Sequence, residues 1–241
     1  MKVAIVILHG WGLSKKTFFP LEEELFKRGY NAIALDFPGF GESKIPQRPW
    51  HLDDYAQYLY SYFKKENIKY PVLIGHSFGG RVCLRYSTLY PKNVRAIILS
   101  GTPGYTPVSK KKLLLFTIFA KIGKIALSFP ILSFFSEKAR TWYYNFAGAR
   151  EYARAQGVMK DTFKNIVRES LIKDMKRVLV PCLLLWGELD RIVPVCIGRK
   201  MKETIPGSVF EVIKGADHGV PFKRSKEFAD TVEEFLKTYV V

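Results

Sequence analysis

The chain has 241 residues, 48% hydrophobic and 25% charged, enough to bury one sizeable core with room for an insertion, and unlike a disordered or fibrous chain. Lys and Arg outnumber Asp and Glu by 38 to 22, a formal charge of +16, but no aromatic–basic RNA-binding pattern or helix-turn-helix signature accompanies it, so no specific nucleic-acid partner is expected. The three cysteines (Cys83, Cys182 and Cys196) are odd in number and lack metal-ligand grouping; Cys83 and Cys182 sit in apolar runs as reduced core residues, which fits a cytoplasmic protein with no metal site.

The opening apolar run is too short for a membrane span and lacks a small-residue cleavage site, so it reads as a first strand, Val3–Leu8. Phe19–Arg28 follows as a helix, Asn31–Leu35 as a strand and Leu52–Glu66 as a second helix. Val72–Ile74 is a short buried strand, Gly79–Tyr90 a helix and Val94–Ser100 another strand. After a long interruption come strand Cys182–Trp186, helix Ile197–Thr204, strand Val209–Ile213 and helix Ser225–Tyr239. Such alternation predicts an α/β fold with a parallel sheet, and nearly continuous apolar strands predict cover on both faces. Reactive groups in such sheets collect beyond the carboxyl ends of the strands.

The interruption, from Gly104 to Val178, holds fifteen Lys and Arg against five Asp and Glu, so most of the excess charge lies there. Lys110-Lys111-Lys112 and Leu113–Ser128 fit a helix whose narrow polar stripe is Thr117, Lys121, Lys124 and Ser128, ended by Pro130. As a membrane span, Leu113–Phe135 would bury two lysines at about 2.5–3.5 kcal/mol for each central one, which argues against spanning. Residues 105–177 are therefore expected to form a helical cap over a core made of residues 1–104 and 178–241. Its lysines read either as a solvated helix start or as a peripheral contact with an anionic membrane surface.

The chemistry concentrates in three places. Gly75-His76-Ser77-Phe78-Gly79 puts a serine where a strand turns into a helix, flanked by glycines that let the two pack closely. That pattern is common enough by chance to need partners. Trp186-Gly187-Glu188-Leu189-Asp190 supplies a carboxylate just past a strand, and Gly215-Ala216-Asp217-His218-Gly219 a histidine in the loop before the last helix. A serine hydroxyl needs a base to take its proton and a third group to orient that base, so Ser77, His218 and Asp190 are the expected nucleophile, base and orienting acid. Asp217, a direct neighbour of the histidine, reads as a solvent-facing loop residue. The turn His9-Gly10-Trp11-Gly12 can aim the Trp11 backbone N–H inward, and the Phe78 N–H follows the serine directly; these two are the expected oxyanion donors. His9 and His76 read as residues that shape turns through hydrogen bonds.

With these pieces the chain resembles an α/β-hydrolase-fold enzyme with a helical cap, in the serine-nucleophile, carboxylesterase-like branch. The likeness runs essentially the whole length and takes in Asp36-Phe37-Pro38-Gly39-Phe40-Gly41-Glu42-Ser43 after the second strand. Family members commonly begin with an extra hairpin, whereas this chain opens at the oxyanion strand, so a six-stranded, all-parallel sheet is expected. The resemblance implies hydrolysis of a small-molecule carboxylic ester through an acyl-enzyme, without a cofactor. The aromatic residues of the cap, Phe116, Phe119, Phe134, Trp142 and Tyr143 among them, are expected to wall a pocket for apolar, short to medium acyl chains. The same scaffold also carries acyltransferases, perhydrolases and C–C bond hydrolases, and with lost triad members non-catalytic ligand-binding proteins; nothing in the sequence signals an oligomeric state.

Overall fold

A computed structural model describes residues 3–105 and 157–240. Six strands, β1 (Ala4–Leu8), β2 (Asn31–Leu35), β3 (Val72–His76), β4 (Ala96–Ser100), β5 (Cys182–Gly187) and β6 (Val209–Ile213), form one sheet in the order β2-β1-β3-β4-β5-β6. Every pairing is parallel, as the alternating pattern predicts. The interior strands β3, β4 and β5 are buried along their whole length, while the edge strands β2 and β6 carry exposed positions. The fold class is α/β, a parallel sheet flanked by helices, as expected.

Because strand side chains alternate between faces, the sheet divides the core in two. Val6, Leu8, Leu73 and Leu99 face α2 (Leu52–Lys65) and α3 (Phe78–Leu89), and on the same side Trp186 packs against the helix Val195–Thr204. Ile5, Ile7, Val72, Ile74, Ile98 and Leu185 face α1 (Phe19–Lys27) and the last helix, α8 (Ser225–Tyr239). Each fully buried side chain of this size contributes about 1.5–3 kcal/mol, so cover on both faces holds the strands in register. Cys83 and Cys182 lie in the first layer as free thiols whose pKa burial pushes up; Cys196 is exposed.

The structure refines several sequence boundaries. β3 runs two residues further than the apolar stretch suggests, because Gly75 and His76 still pair with Leu99 and Ser100. A short 3-10 turn, Lys15–Phe18, precedes α1. Inside the long interruption lie α4 (Gly157–Arg168) and the single turn α5 (Ile172–Met175); α6 (Val195–Thr204) and the single turn α7 (Val220–Lys223) complete the described helices. Among the described residues no helix is long and apolar enough to cross a membrane. The predicted cap residues Phe116, Phe119, Phe134, Trp142 and Tyr143 lie outside the described residues.

Residues 157–177 are tied firmly to the core. Met159, Ile166, Leu171 and Met175 join the first apolar layer, and the Trp50 N–H donates to Thr162 Oγ1 at 3.0 Å. The buried Arg81 of α3 donates to the carbonyls of Pro103 (2.5 Å), Ile166 (2.8 Å) and Glu169 (2.6 Å). One guanidinium thus bonds backbone on both sides of residues 106–156. Burial lowers its pKa to about 10, so its charge is held there at some cost.

Candidate active site

Ser77 occupies the corner between β3 and α3 with φ 51° and ψ −111°, in the left-handed region that a non-glycine residue rarely adopts. Such strain costs about 1–3 kcal/mol and persists only where packing enforces it. The surroundings supply that packing. The Ser77 N–H donates to the Ser100 carbonyl at 2.8 Å, extending the β3–β4 ladder through the corner. A Cβ at Gly75 would stand 2.5 Å from Gly80 Cα, and one at Gly79 would collide with the Leu8 carbonyl, so strand and helix approach as only glycines allow.

Asp190 and His218 meet across the loops that follow β5 and β6. His218 Nδ1 and Asp190 Oδ2 are 2.7 Å apart, and the carboxylate side chain is only 1% exposed. An ionised carboxylate accepts only, so Nδ1 carries the proton and Nε2 is left as the free basic nitrogen. The other oxygen, Oδ1, accepts the N–H groups of Ile192 (2.9 Å) and Val193 (2.8 Å), which fixes the carboxylate before any ligand arrives. The rival carboxylates have other work. Glu188 accepts the Gly215 N–H at 2.9 Å and staples the histidine loop to the preceding one. Asp217 is exposed, accepts the Gly219 N–H and pairs with Lys223.

The turn after β1 is shaped by His9. Its Nδ1–H donates to the Gly10 carbonyl (2.8 Å) while Nε2 accepts the Phe37 N–H (3.1 Å). Both nitrogens are therefore engaged in a neutral ring, and burial lowers its pKa accordingly. The Trp11 indole packs edge-on against Phe40, Phe78 and Phe163 at centroid distances of 4.8, 5.5 and 5.0 Å. Neither the Trp11 nor the Phe78 backbone N–H donates to another described residue. Asp36 organises the next loop: its carboxylate accepts the N–H groups of Lys15 (2.7 Å) and Glu42 (3.0 Å), and its carbonyl accepts the Ser43 hydroxyl (2.8 Å). Glu42 in turn pairs with Lys15 and Lys16, which brings its pKa down to about 2.

Ser77, His218, Trp11 and Gly10 line one cavity of about 550 Å³ at the carboxyl edge of the sheet. Asp190 lies behind His218. The rest of the wall includes Leu13, Leu189, Arg191, Ile192, Phe222 and Lys223, in the loops after β1 and β5 and in α7, together with His76 and with Asp217 and Gly219 beside His218. Sequence reasoning did not name these as wall residues, and the cap aromatics it expected at the pocket lie outside the described residues. It also missed Gly101, at φ 53°, where a Cβ would stand 2.7 Å from His218 Cε1 and 2.8 Å from Nδ1. The signal available was a glycine immediately after strand β4, beside the serine corner.

His76 sits inside β3, paired with Ser100. Among the described residues its Nδ1 meets no hydrogen-bond partner within normal bonding geometry, and the ring lies 4.6 Å from that of His218. Among the described residues no cluster of three or more His, Cys, Asp or Glu side chains is arranged to hold a metal ion.

A model of the alpha/beta hydrolase family matches residues 5–231. The chain is 26% identical over 245 residues to "Uncharacterized hydrolase YugF" of Bacillus subtilis, covering 97% of this chain and 89% of that protein. Among solved structures it is similar to a bromoperoxidase from Bacillus anthracis, with a TM-score of 0.75, 24% identity and coverage of 98% and 92% of the two chains. The esterase EaEST from Exiguobacterium antarcticum gives a TM-score of 0.75 at 21% identity, with the same coverage. These structural likenesses concern the fold.

Proposed function

The chain belongs to the alpha/beta hydrolase family, and on that premise we propose that it is a serine hydrolase that cleaves carboxylic esters with apolar, short to medium acyl chains. The observation that carries this reading is the 2.7 Å bond between His218 and a buried Asp190, with His218 sharing its cavity with a serine in a strained left-handed corner.

Ser77 Oγ attacks the acyl carbon as its proton passes to His218 Nε2. Asp190 holds the ring through Nδ1 and stabilises the imidazolium, so the charge formed is met by an acceptor already in position. The carbonyl oxygen, now an oxyanion, accepts the N–H groups of Trp11 and Phe78; one such donor is typically worth two to three powers of ten in rate. Collapse expels the alcohol, which takes the proton from His218 and leaves an ester on Ser77. Water then repeats the sequence, giving its proton to His218 and its oxygen to the acyl carbon, and the released carboxylic acid restores the serine. No step requires a metal or cofactor.

Hydrolysis of 4-nitrophenyl esters from acetyl to dodecanoyl, by the native protein and by Ser77→Ala, tests the reading. A Ser77-dependent rate that peaks at a short or medium chain supports it. Absence of a Ser77-dependent rate at every length overturns it.

A further inference from the structure

Among the described residues, the wall of the catalytic cavity carries one positive charge that no acidic side chain neutralises. Lys223 is one of its two cations, and it is engaged at 2.5 Å by Asp217, which lines the same cavity. Arg191 is the other. It is exposed, and among the described residues no carboxylate lies within ion-pair distance of it. The carboxylate next to it in sequence, Asp190, is turned inward and fully occupied by His218, Ile192 N–H and Val193 N–H. Arg191 is also flanked by Leu189 and Ile192, 55% and 65% exposed, which line the cavity with it.

A lone guanidinium beside apolar side chains, in the cavity that holds Ser77, suits a ligand with an apolar body and a single anionic group. We infer that Arg191 is a specificity-determining residue that selects acyl esters bearing a carboxylate or phosphate. This rests on the hydrolase reading above and adds the substrate's charge to it. The guanidinium presents a planar fork that matches such oxyanions two-point, whereas a lysine would act as a point charge. Because Arg191 is solvated, the expected preference is modest, about tenfold, and it weakens as salt screens the pair. The excess of cations over the whole chain pulls in the same direction, raising the encounter rate of anionic substrates.

Two matched substrate pairs test it and tell where the charge belongs. In the first the acyl chain ends in a carboxylate or in its methyl ester, as in the 4-nitrophenyl half-ester of suberic acid and its methyl-capped form. In the second the leaving alcohol carries the charge, as in the butyryl esters of 4-hydroxybenzoate and of its methyl ester. The quantity read is the ratio of kcat/KM for the anionic over the neutral member, which Arg191→Gln is expected to lower about tenfold in one pair, with partial recovery in Arg191→Lys. Calorimetric titration of Ser77→Ala protein and of Ser77→Ala/Arg191→Gln protein with the same compounds gives a readout free of turnover. An anionic preference in binding that disappears with Arg191→Gln supports the inference even if no ester is hydrolysed. Equal ratios with and without Arg191, in turnover and in binding, overturn it. Failure of the hydrolase reading is recognised separately, as absence of Ser77-dependent hydrolysis of the neutral members.

Discussion

The imidazoles of His76 and His218 lie 4.6 Å apart and tilted by 52°. Phe18 and Phe222 pack against His76 on other sides, so the ring is almost wholly buried where it borders the cavity. Burial first, and the neighbouring His218 second, hold its pKa well below the ordinary 6.5. A ring that stays neutral backs His218 without repelling the imidazolium that the proposed mechanism forms there.

That depression has a consequence for stability. His76, like His9, binds its proton more readily in the unfolded chain than in the folded one. Stability is therefore complete above pH 6.5 and falls as the pH drops below that value toward the lowered folded-state pKa values. The slope is at most about 1.4 kcal/mol per pH unit for each histidine. Urea unfolding between pH 7.5 and 5 should show this fall, and His76→Phe should make it shallower. An unchanged slope would place the sensitivity elsewhere.

Asp190→Asn should leave the fold intact and cut kcat about ten-thousandfold. An amide can donate to Nδ1, favouring the tautomer whose proton sits on Nε2, where it cannot accept from Ser77. Double variants with His218→Ala should lose little more than either single change, since the residues act as a unit. Steady-state kinetics beside a thermal melt checks both statements.

Gly101→Ala should injure activity more than stability. Its Cβ would fall within 2.8 Å of the His218 ring and 3.2 Å of Asp190 Oδ2, forcing the pair apart. The left-handed φ of 53° adds about 1–2 kcal/mol for alanine. We expect kcat to drop about a hundredfold with the protein still folded at room temperature; full activity in the variant would refute this role.

Arg81→Met should destabilise the protein by about 2–4 kcal/mol, because the carbonyls of Pro103, Ile166 and Glu169 lose their donor together. The lowered pKa of Arg81 means burial already offsets part of those bonds, which favours the lower end of the range. Chemical denaturation followed by circular dichroism measures it.

How much of this can be read from sequence follows the range of each interaction. Ser77, Asp190 and His218 are readable because each sits in a short glycine-bearing stretch at a strand end, where the local rules for turns apply. The parallel sheet is readable for the same reason, since apolar runs are local. The packing of His76 is not readable, because its ring neighbours, Phe18, His218 and Phe222, come from other parts of the chain. Arg81 looks like an ordinary helix-surface cation until α4 is laid over it. Leu189, Arg191 and Ile192 could be placed after β5, but their share of the cavity depends on how the β5 and β6 loops lean together, which the bonds of Glu188 with Ile213 and Gly215 and of Leu189 with Ala216 help to fix.

The order of the strands also sets when the protein becomes chemically competent during synthesis. Ser77 ends β3, a central strand, whereas His218 follows β6, an edge strand that pairs with β5 alone. The chain is made amino end first, so Ser77 and the strands beside it are synthesised long before His218, its proposed base, exists. On the proposed mechanism, Ser77 stays an ordinary alcohol until β6 docks and brings His218 to its cavity, so addition of the final strand to a nearly finished sheet is the step that arms the serine.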